Sequence, residues 1–173
     1  MQPNLFPAIL IAGPPNCGKS VLSYSLTQRL CQMRISHYLL RAAPDGEGNF
    51  VFDGPPGIVR GLRQGHKRPY SPAFVGHTRR MIESRLLPLL VDVGGKPRGD
   101  DQFAILRACT HSIILYRTPE ELQEWRNHLA GTHLQSIAEL RSSLVEPEQL
   151  EQTTPLLSGV ITGLHRDQEK RQL

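Results

Sequence analysis

Eight residues near the N-terminus carry chemistry that their types and spacing make readable. They are Gly13-Pro14-Pro15-Asn16-Cys17-Gly18-Lys19-Ser20, which fit G-x-x-x-x-G-K-[ST] at every fixed position. The pattern needs glycines because the backbone folds around phosphate oxygens and aims its N–H groups at them. Gly13 opens the loop, and Gly18 lets the chain approach a ligand with no side chain in the way. Lys19 is expected to reach the β- and γ-phosphates, and the Ser20 hydroxyl to ligate Mg²⁺. Pro14, Pro15, Asn16 and Cys17 complete the expected nucleotide-binding loop. An apolar run, Ala8-Ile9-Leu10-Ile11-Ala12, precedes it, and the helix expected after it turns its N-terminal dipole to the phosphates.

Such a loop needs a partner that holds Mg²⁺ through its water shell, usually an Asp at the end of a buried strand. Leu89-Leu90-Val91-Asp92 fits: three apolar residues, then a carboxylate where the strand leaves the core. A buried lone Asp costs several kcal/mol, on the order of 2–7, so Asp92 emerges at a polar site or is paired. Lys19, Ser20 and Asp92 are thus the expected ATP–Mg²⁺ residues, with Ser20 and Asp92 on the metal. Guanine readers use an N/T-K-x-D motif, and none of Lys19, Lys67, Lys96 and Lys170 sits in one. Arg117-Thr118 stands at the end of the fourth strand instead, and Arg117 joins the nucleotide-binding set; ATP is expected over GTP.

No glutamate adjoins Asp92, so a catalytic base must come from elsewhere. Asp45 and Glu47 follow the second strand, where doubly wound sheets place ligand groups, and Asp53 lies a little further on. Asp45 is the first choice, accepting the proton of an acceptor hydroxyl. Arg98 follows Asp92 closely and reads either as an arginine finger or as a solvated charge. Arg60, Arg63, His66, Lys67 and Arg68, with Tyr70 beside them, form the densest positive stretch. It suits a lid over triphosphate, a groove for an oligonucleotide, or a solvated loop. Cys17 reads as a small filler, although a place near Lys19 and a helix N-terminus also lowers a thiol's pKa and invites oxidation that blocks the nucleotide.

The elements that position these residues follow from periodicity. Leu22, Leu26, Leu30 and Met33 recur at helical spacing over residues 21–33. Residues 36–43 read as a strand ending in a polar loop. Ser71-Pro72 supplies an N-cap and a first-turn proline for a helix over 72–87, with Phe74, Val75, Met81, Ile82 and Leu86 available for burial. Strands are expected over 86–93 and 111–116, with a helix over 99–109 between them. Thr118-Pro119-Glu120-Glu121 is a capping box opening a helix with Leu122, Trp125 and Leu129, ended by Gly131. Residues 136–144 fit strand or short helix, the strand being favoured by alternation, and 156–164 read as an edge strand. The β-α-β alternation predicts an α/β protein: a three-layer P-loop NTPase fold, its mostly parallel sheet flanked by helices.

With 173 residues, 39% of them hydrophobic and 21% charged, the chain is expected to form one nucleotide-binding domain over 1–164 and a charged tail over 165–173. Its net charge of +4 permits an anionic ligand without demanding nucleic acid. The longest apolar runs are strand-sized, so no membrane span or membrane partner is expected. Three scattered cysteines and no visible signal peptide suit a reducing cytoplasm.

Taken together, ILIAGPPNCGKSVL, HYLLRAAPDGEGNF, YSPAFV, LLVDVGGKP and CTHSIILYR resemble the P-loop (AAA-type) ATPase domain associated with type III CRISPR systems. That domain is often fused to a small ring nuclease that degrades cyclic oligoadenylate. The resemblance runs from about Ile9 to Gly163 and rests most on PDGEGNF and LVDVGGKP. It implies ATP–Mg²⁺ roles for Lys19, Ser20 and Asp92 and places Asp45 and Glu47 in the family's signature loop. The partners it implies are ATP and a cyclic oligoadenylate or a ring-nuclease domain; a homo-oligomer stays open. The ring-nuclease domain has no counterpart within these residues. Two other classes stand beside this one: a small-molecule or nucleoside kinase with Asp45 as base, and an ATP-dependent binding module with little hydrolysis.

Overall fold

The apolar run ahead of the loop is a strand, β1 (Ala8–Ala12), and it lies inside a seven-stranded sheet. The computed structural model describes residues 6–44, 70–95, 97 and 99–164. Asp45, Glu47, Asp53, Arg60, Arg63, His66, Lys67, Arg68, Lys96, Arg98, Lys170 and the tail over 165–173 lie outside the described residues. After β1 come α1 (Lys19–Gln32), β2 (Tyr38–Ala42), α2 (Pro72–Glu83), β3 (Leu89–Val93) and α3 (Asp100–Arg107). Then follow β4 (His111–Tyr116), α4 (Pro119–Leu129), β5 (Gln135–Ser142), β6 (Gln149–Gln152) and β7 (Leu157–Ile161). The strand order is β2-β3-β1-β4-β5-β7-β6, parallel throughout except for the β6–β7 pair.

Period-two alternation sorts the strand side chains onto two apolar faces, as a sheet covered on both sides requires. Ala8, Leu10 and Ala12 of β1 and Leu89, Val91 and Val93 of β3 join Val75, Ile82, Ile105 and Trp125 on the face covered by α2, α3 and α4. Ile11 and Leu90 join Leu22 on the other face, with Leu26 and Leu30 of α1 packed beside them. The expected three-layer α/β architecture is therefore the observed one. Among the described residues no helix is long and apolar enough to cross a membrane.

Several element ends differ from expectation for local reasons. The helix expected over 72–87 stops at Glu83, where the Ser84 hydroxyl donates back to the Arg80 carbonyl at 2.7 Å. Leu86, beyond the helix end, is exposed rather than buried, and so is Met81 within the helix, on its outer face. Arg85 ties this end to β1 instead, donating from Nε to the Phe6 carbonyl and from Nη1 to the Ile82 carbonyl. The strand that follows starts at Leu89, because Pro88 has no N–H for the ladder. Met33 caps α1 from outside its buried stripe and is also exposed. Ser71 caps α2, accepting from the Phe74 amide at 3.2 Å, and Thr118 caps α4, accepting from the Glu121 amide at 3.4 Å. Glu121 Oε2 accepts from the Arg117 amide at 2.8 Å, and the Thr118 amide also stands close to its carboxylate.

Residues 136–144 are mostly strand, as favoured, and β5 ends at Ser142 with Leu144 exposed. The expected edge strand is a correction. β7 lies between β5 and β6, and the edge is β6, whose four residues are all exposed. An exposed, polar QLEQ run carries no alternation to read, so periodicity missed it.

Candidate functional site

β1, β3 and β4 run parallel side by side, so their C-terminal ends and the loops that leave them gather at one sheet edge. The loop after β1 owes its path to backbone freedom at its two ends. Gly13 has φ 144°, and a Cβ there would stand 2.3 Å from the Leu115 carbonyl oxygen, so no other residue fits. Asn16 takes the left-handed region at φ 61°, which Asn tolerates better than most side chains. Gly18, at φ 93°, is the N-cap of α1, and the Leu22 amide donates to its carbonyl at 2.9 Å. Pro15 packs against the end of β3, where a Cβ on Gly95 would come within 2.7 Å of its ring. The first-turn amides of α1 thus open onto the loop, the ordinary geometry for binding anions.

Lys19 is buried, and its Nζ donates to the carbonyls of Gly13 at 2.9 Å and Pro14 at 2.7 Å. The ammonium therefore lies across the loop mouth. Asp92 sits at 3% exposure on β3, opposite Ile11 of β1 and Arg41 of β2. Its carboxylate accepts a hydrogen bond from Nη1 of Arg41, and the Ser20 hydroxyl stands near it. Burial raises its pKa, and the Arg41 charge, the Ser20 hydroxyl, the Arg41 hydrogen bond and the Lys19 charge pull it back down. Ser20 and Asp92 are hard oxygen donors side by side, the set Mg²⁺ takes when phosphate oxygens and water complete its shell. Among the described residues no cluster of three or more His, Cys, Asp or Glu competes as a metal site.

Cys17 is the small filler expected, buried beneath the loop with Ile11, Leu22, Leu90 and Leu115. The expected lowering of its pKa is corrected. Burial raises the thiol's pKa, and this outweighs the charge of nearby Lys19. Arg117 flanks the loop within electrostatic reach of Cys17, while its guanidinium pairs with Glu121 one turn into α4. Asp45 and Glu47 lie outside the described residues.

Arg41 is the residue that sequence reasoning missed. A signal was present: it is the one charged side chain in the strand YLLRA, and a charge inside a covered strand has to be paired.

No family model matches the chain, and no curated protein matches it. Solved structures do. The kinase domain of the Escherichia coli tyrosine kinase ETK superposes with a TM-score of 0.57 at 14% identity, over 86% of this chain and 71% of that one. A nucleotide-binding protein from Archaeoglobus fulgidus, in complex with ADP and with cobalt, superposes with a TM-score of 0.52 at 14% identity. That match covers 89% of this chain and 72% of the other. The fold is that of the P-loop NTPases. In this chain Gly13 to Gly18 link the first strand to the first helix, whose first two residues are Lys19 and Ser20.

Proposed function

We propose that this chain is an ATP-binding P-loop NTPase. The triphosphate lies in the loop from Gly13 to Gly18, held by backbone amides, the α1 N-terminus and Lys19. The observation that carries the reading is the closeness of the Ser20 hydroxyl and the Lys19 ammonium to the Asp92 carboxylate, which joins two separate sequence signals at one point. Mg²⁺, when bound there, neutralises charge on the β- and γ-phosphates. Ser20 and Asp92 orient the ion, Lys19 leaves the Gly13 and Pro14 carbonyls for phosphate oxygens, and Arg117 with Glu121 borders the nucleotide. Asp45, three residues after β2 in the sequence, takes the proton of the acceptor, and Glu47 belongs to the same acidic segment of the sequence.

On the resemblance of its motifs, the chain is an accessory ATPase domain of type III CRISPR systems linked to cyclic oligoadenylate signalling, with the basic stretch Arg60, Arg63, Lys67 and Arg68 as the contact for that ligand. Residues 1–164 form its nucleotide domain. The unpaired state of Cys17, Cys31 and Cys109 supports a reducing, cytoplasmic setting. A second reading, phosphoryl transfer to a small molecule, is favoured by the place of Asp45 in the chain, directly after the second strand. One ATP-turnover assay separates these, run with and without cyclic tetra-adenylate and against a panel of nucleosides. Free phosphate stimulated by the oligoadenylate supports the first reading. Phosphate found on a nucleoside supports the second. Tight ATP binding with neither outcome leaves a binding module and refutes both.

A further inference from the structure

We propose that Arg41 is a further residue of the phosphate site, whose guanidinium meets the terminal phosphate of the bound nucleotide. The inference rests on the nucleotide reading above and adds to it a cation that neither the loop motif nor the Asp92 strand contains.

Three observations lead there. Arg41 lies near the C-terminal end of β2, in register with Asp92, and alternation puts both on the α1 face with Leu39 and Leu90. Its Nη1 donates to Asp92 Oδ2, and the Ser20 hydroxyl, next to Lys19 in the chain, lies close to the same carboxylate. The guanidinium thus stands one carboxylate away from the groups that hold the ion and the phosphates. A buried ion pair is weak evidence of a purely stabilising role, since apolar side chains of similar volume often serve a core as well. A planar fork of donors beside a phosphate site is well suited to phosphate oxygens.

Charge points the same way. A triphosphate carries more negative charge than one divalent ion and one lysine neutralise, and phosphoryl transfer is accelerated chiefly by cations placed around the moving group. In that step the bond from the γ-phosphorus to its bridging oxygen breaks and ADP departs with the electron pair. The acceptor oxygen bonds to phosphorus, and its proton passes to the base. Arg41 exchanges no proton; it stabilises the equatorial oxygens, and Asp92 holds it in range.

The test is calorimetric binding of ADP and of a non-hydrolysable triphosphate analogue, both with Mg²⁺, to the wild type, Arg41→Ala, Arg41→Lys and Lys19→Ala. Arg41→Ala is expected to keep ADP affinity within about twofold and to lose about tenfold for the analogue, the effect of one charged hydrogen bond. Arg41→Lys recovers part of that loss, and turnover of ATP by Arg41→Ala falls by about a hundredfold or more. Should Arg41→Ala fail to fold, Asp92→Asn is compared with Arg41→Gln/Asp92→Asn, where no buried carboxylate is stranded. The triphosphate preference is expected to be larger in the first than in the second. Equal preference in that pair, or equal losses for ADP and the analogue in Arg41→Ala, overturns the role of Arg41. A Lys19→Ala variant that binds both ligands like wild type overturns the nucleotide reading itself, which is a separate result.

Discussion

Asp92 and Arg41 face each other with side chains 4% and 16% exposed, so neither charge is comfortable without the other. Removing one partner of such a pair costs about 3–5 kcal/mol, because the remaining charge stays buried. Arg41→Ala is therefore expected to lower unfolding free energy by that order in urea, with most of it recovered in Arg41→Ala/Asp92→Asn; additive losses would mean the side chains are not coupled. A second residue-scale expectation concerns the thiols. Burial pushes the Cys109 pKa up to about 12 from an ordinary 9.0, and burial raises Cys17 as well. Above about pH 9 the unfolded chain gives up these protons while the folded chain keeps them. Stability is then fully present below pH 9 and falls as pH rises towards 12, and Cys109→Ala flattens the slope in alkaline urea titrations. An unchanged slope would show that other groups govern it. At this scale residue type and spacing picked out Lys19, Ser20 and Asp92, which the fold brings close together. The sequence was not legible where a partner comes from another strand, as Arg41 does, or where burial decides the outcome, as for Cys17.

The elements hold the site by short, identifiable devices. Ser71 caps α2 through the Phe74 amide, and Ser71→Ala is expected to cost about 1 kcal/mol in chemical denaturation, with no change in nucleotide affinity. The far edge offers a sharper case. A Cβ on Gly159 would stand 2.2 Å from the Gln149 carbonyl oxygen, so Gly159→Ala forces β6 away from β7. Hydrogen exchange should quicken across 149–152 in that variant, while β1, β3 and β4 keep their protection; unaltered exchange in β6 would contradict the pairing. Element types were readable because α1, α2 and α4 repeat their apolar residues at helical spacing and β1, β3 and β4 are continuous apolar runs. Their ends were less so. A helix that stops at Glu83 rather than 87 is set by a serine hydroxyl turning back on the chain, and Leu86 looks as apolar as its buried neighbours. β6 belongs to the sheet through its hairpin with β7, with no apolar face of its own.

Across the whole molecule, the sheet order puts β3 directly beside β1, so the loop from Gly13 to Gly18 and Asp92 stand at the ends of adjacent strands. That adjacency is a long-range fact, and local patterns alone predicted a parallel sheet without its order. Trp125, Ile82 and Ile105 fill the far face, leaving α1 to carry Lys19 and Ser20 against the near one. Because the site is built on strands and a helix N-terminus, filling it should stabilise the entire fold. Ligand at a hundred times its dissociation constant adds about 2.7 kcal/mol, which raises the melting temperature by about 5–10 °C at this chain length. The most direct test is thermal unfolding of the wild type and Lys19→Ala, each with and without Mg²⁺-ATP. The wild type is expected to show that rise, and a smaller one with GTP. Lys19→Ala is expected to melt within a few degrees of the wild type without ligand and to show no rise with Mg²⁺-ATP. A variant that is still stabilised as fully as the wild type would contradict the assignment of the phosphates to the loop from Gly13 to Ser20.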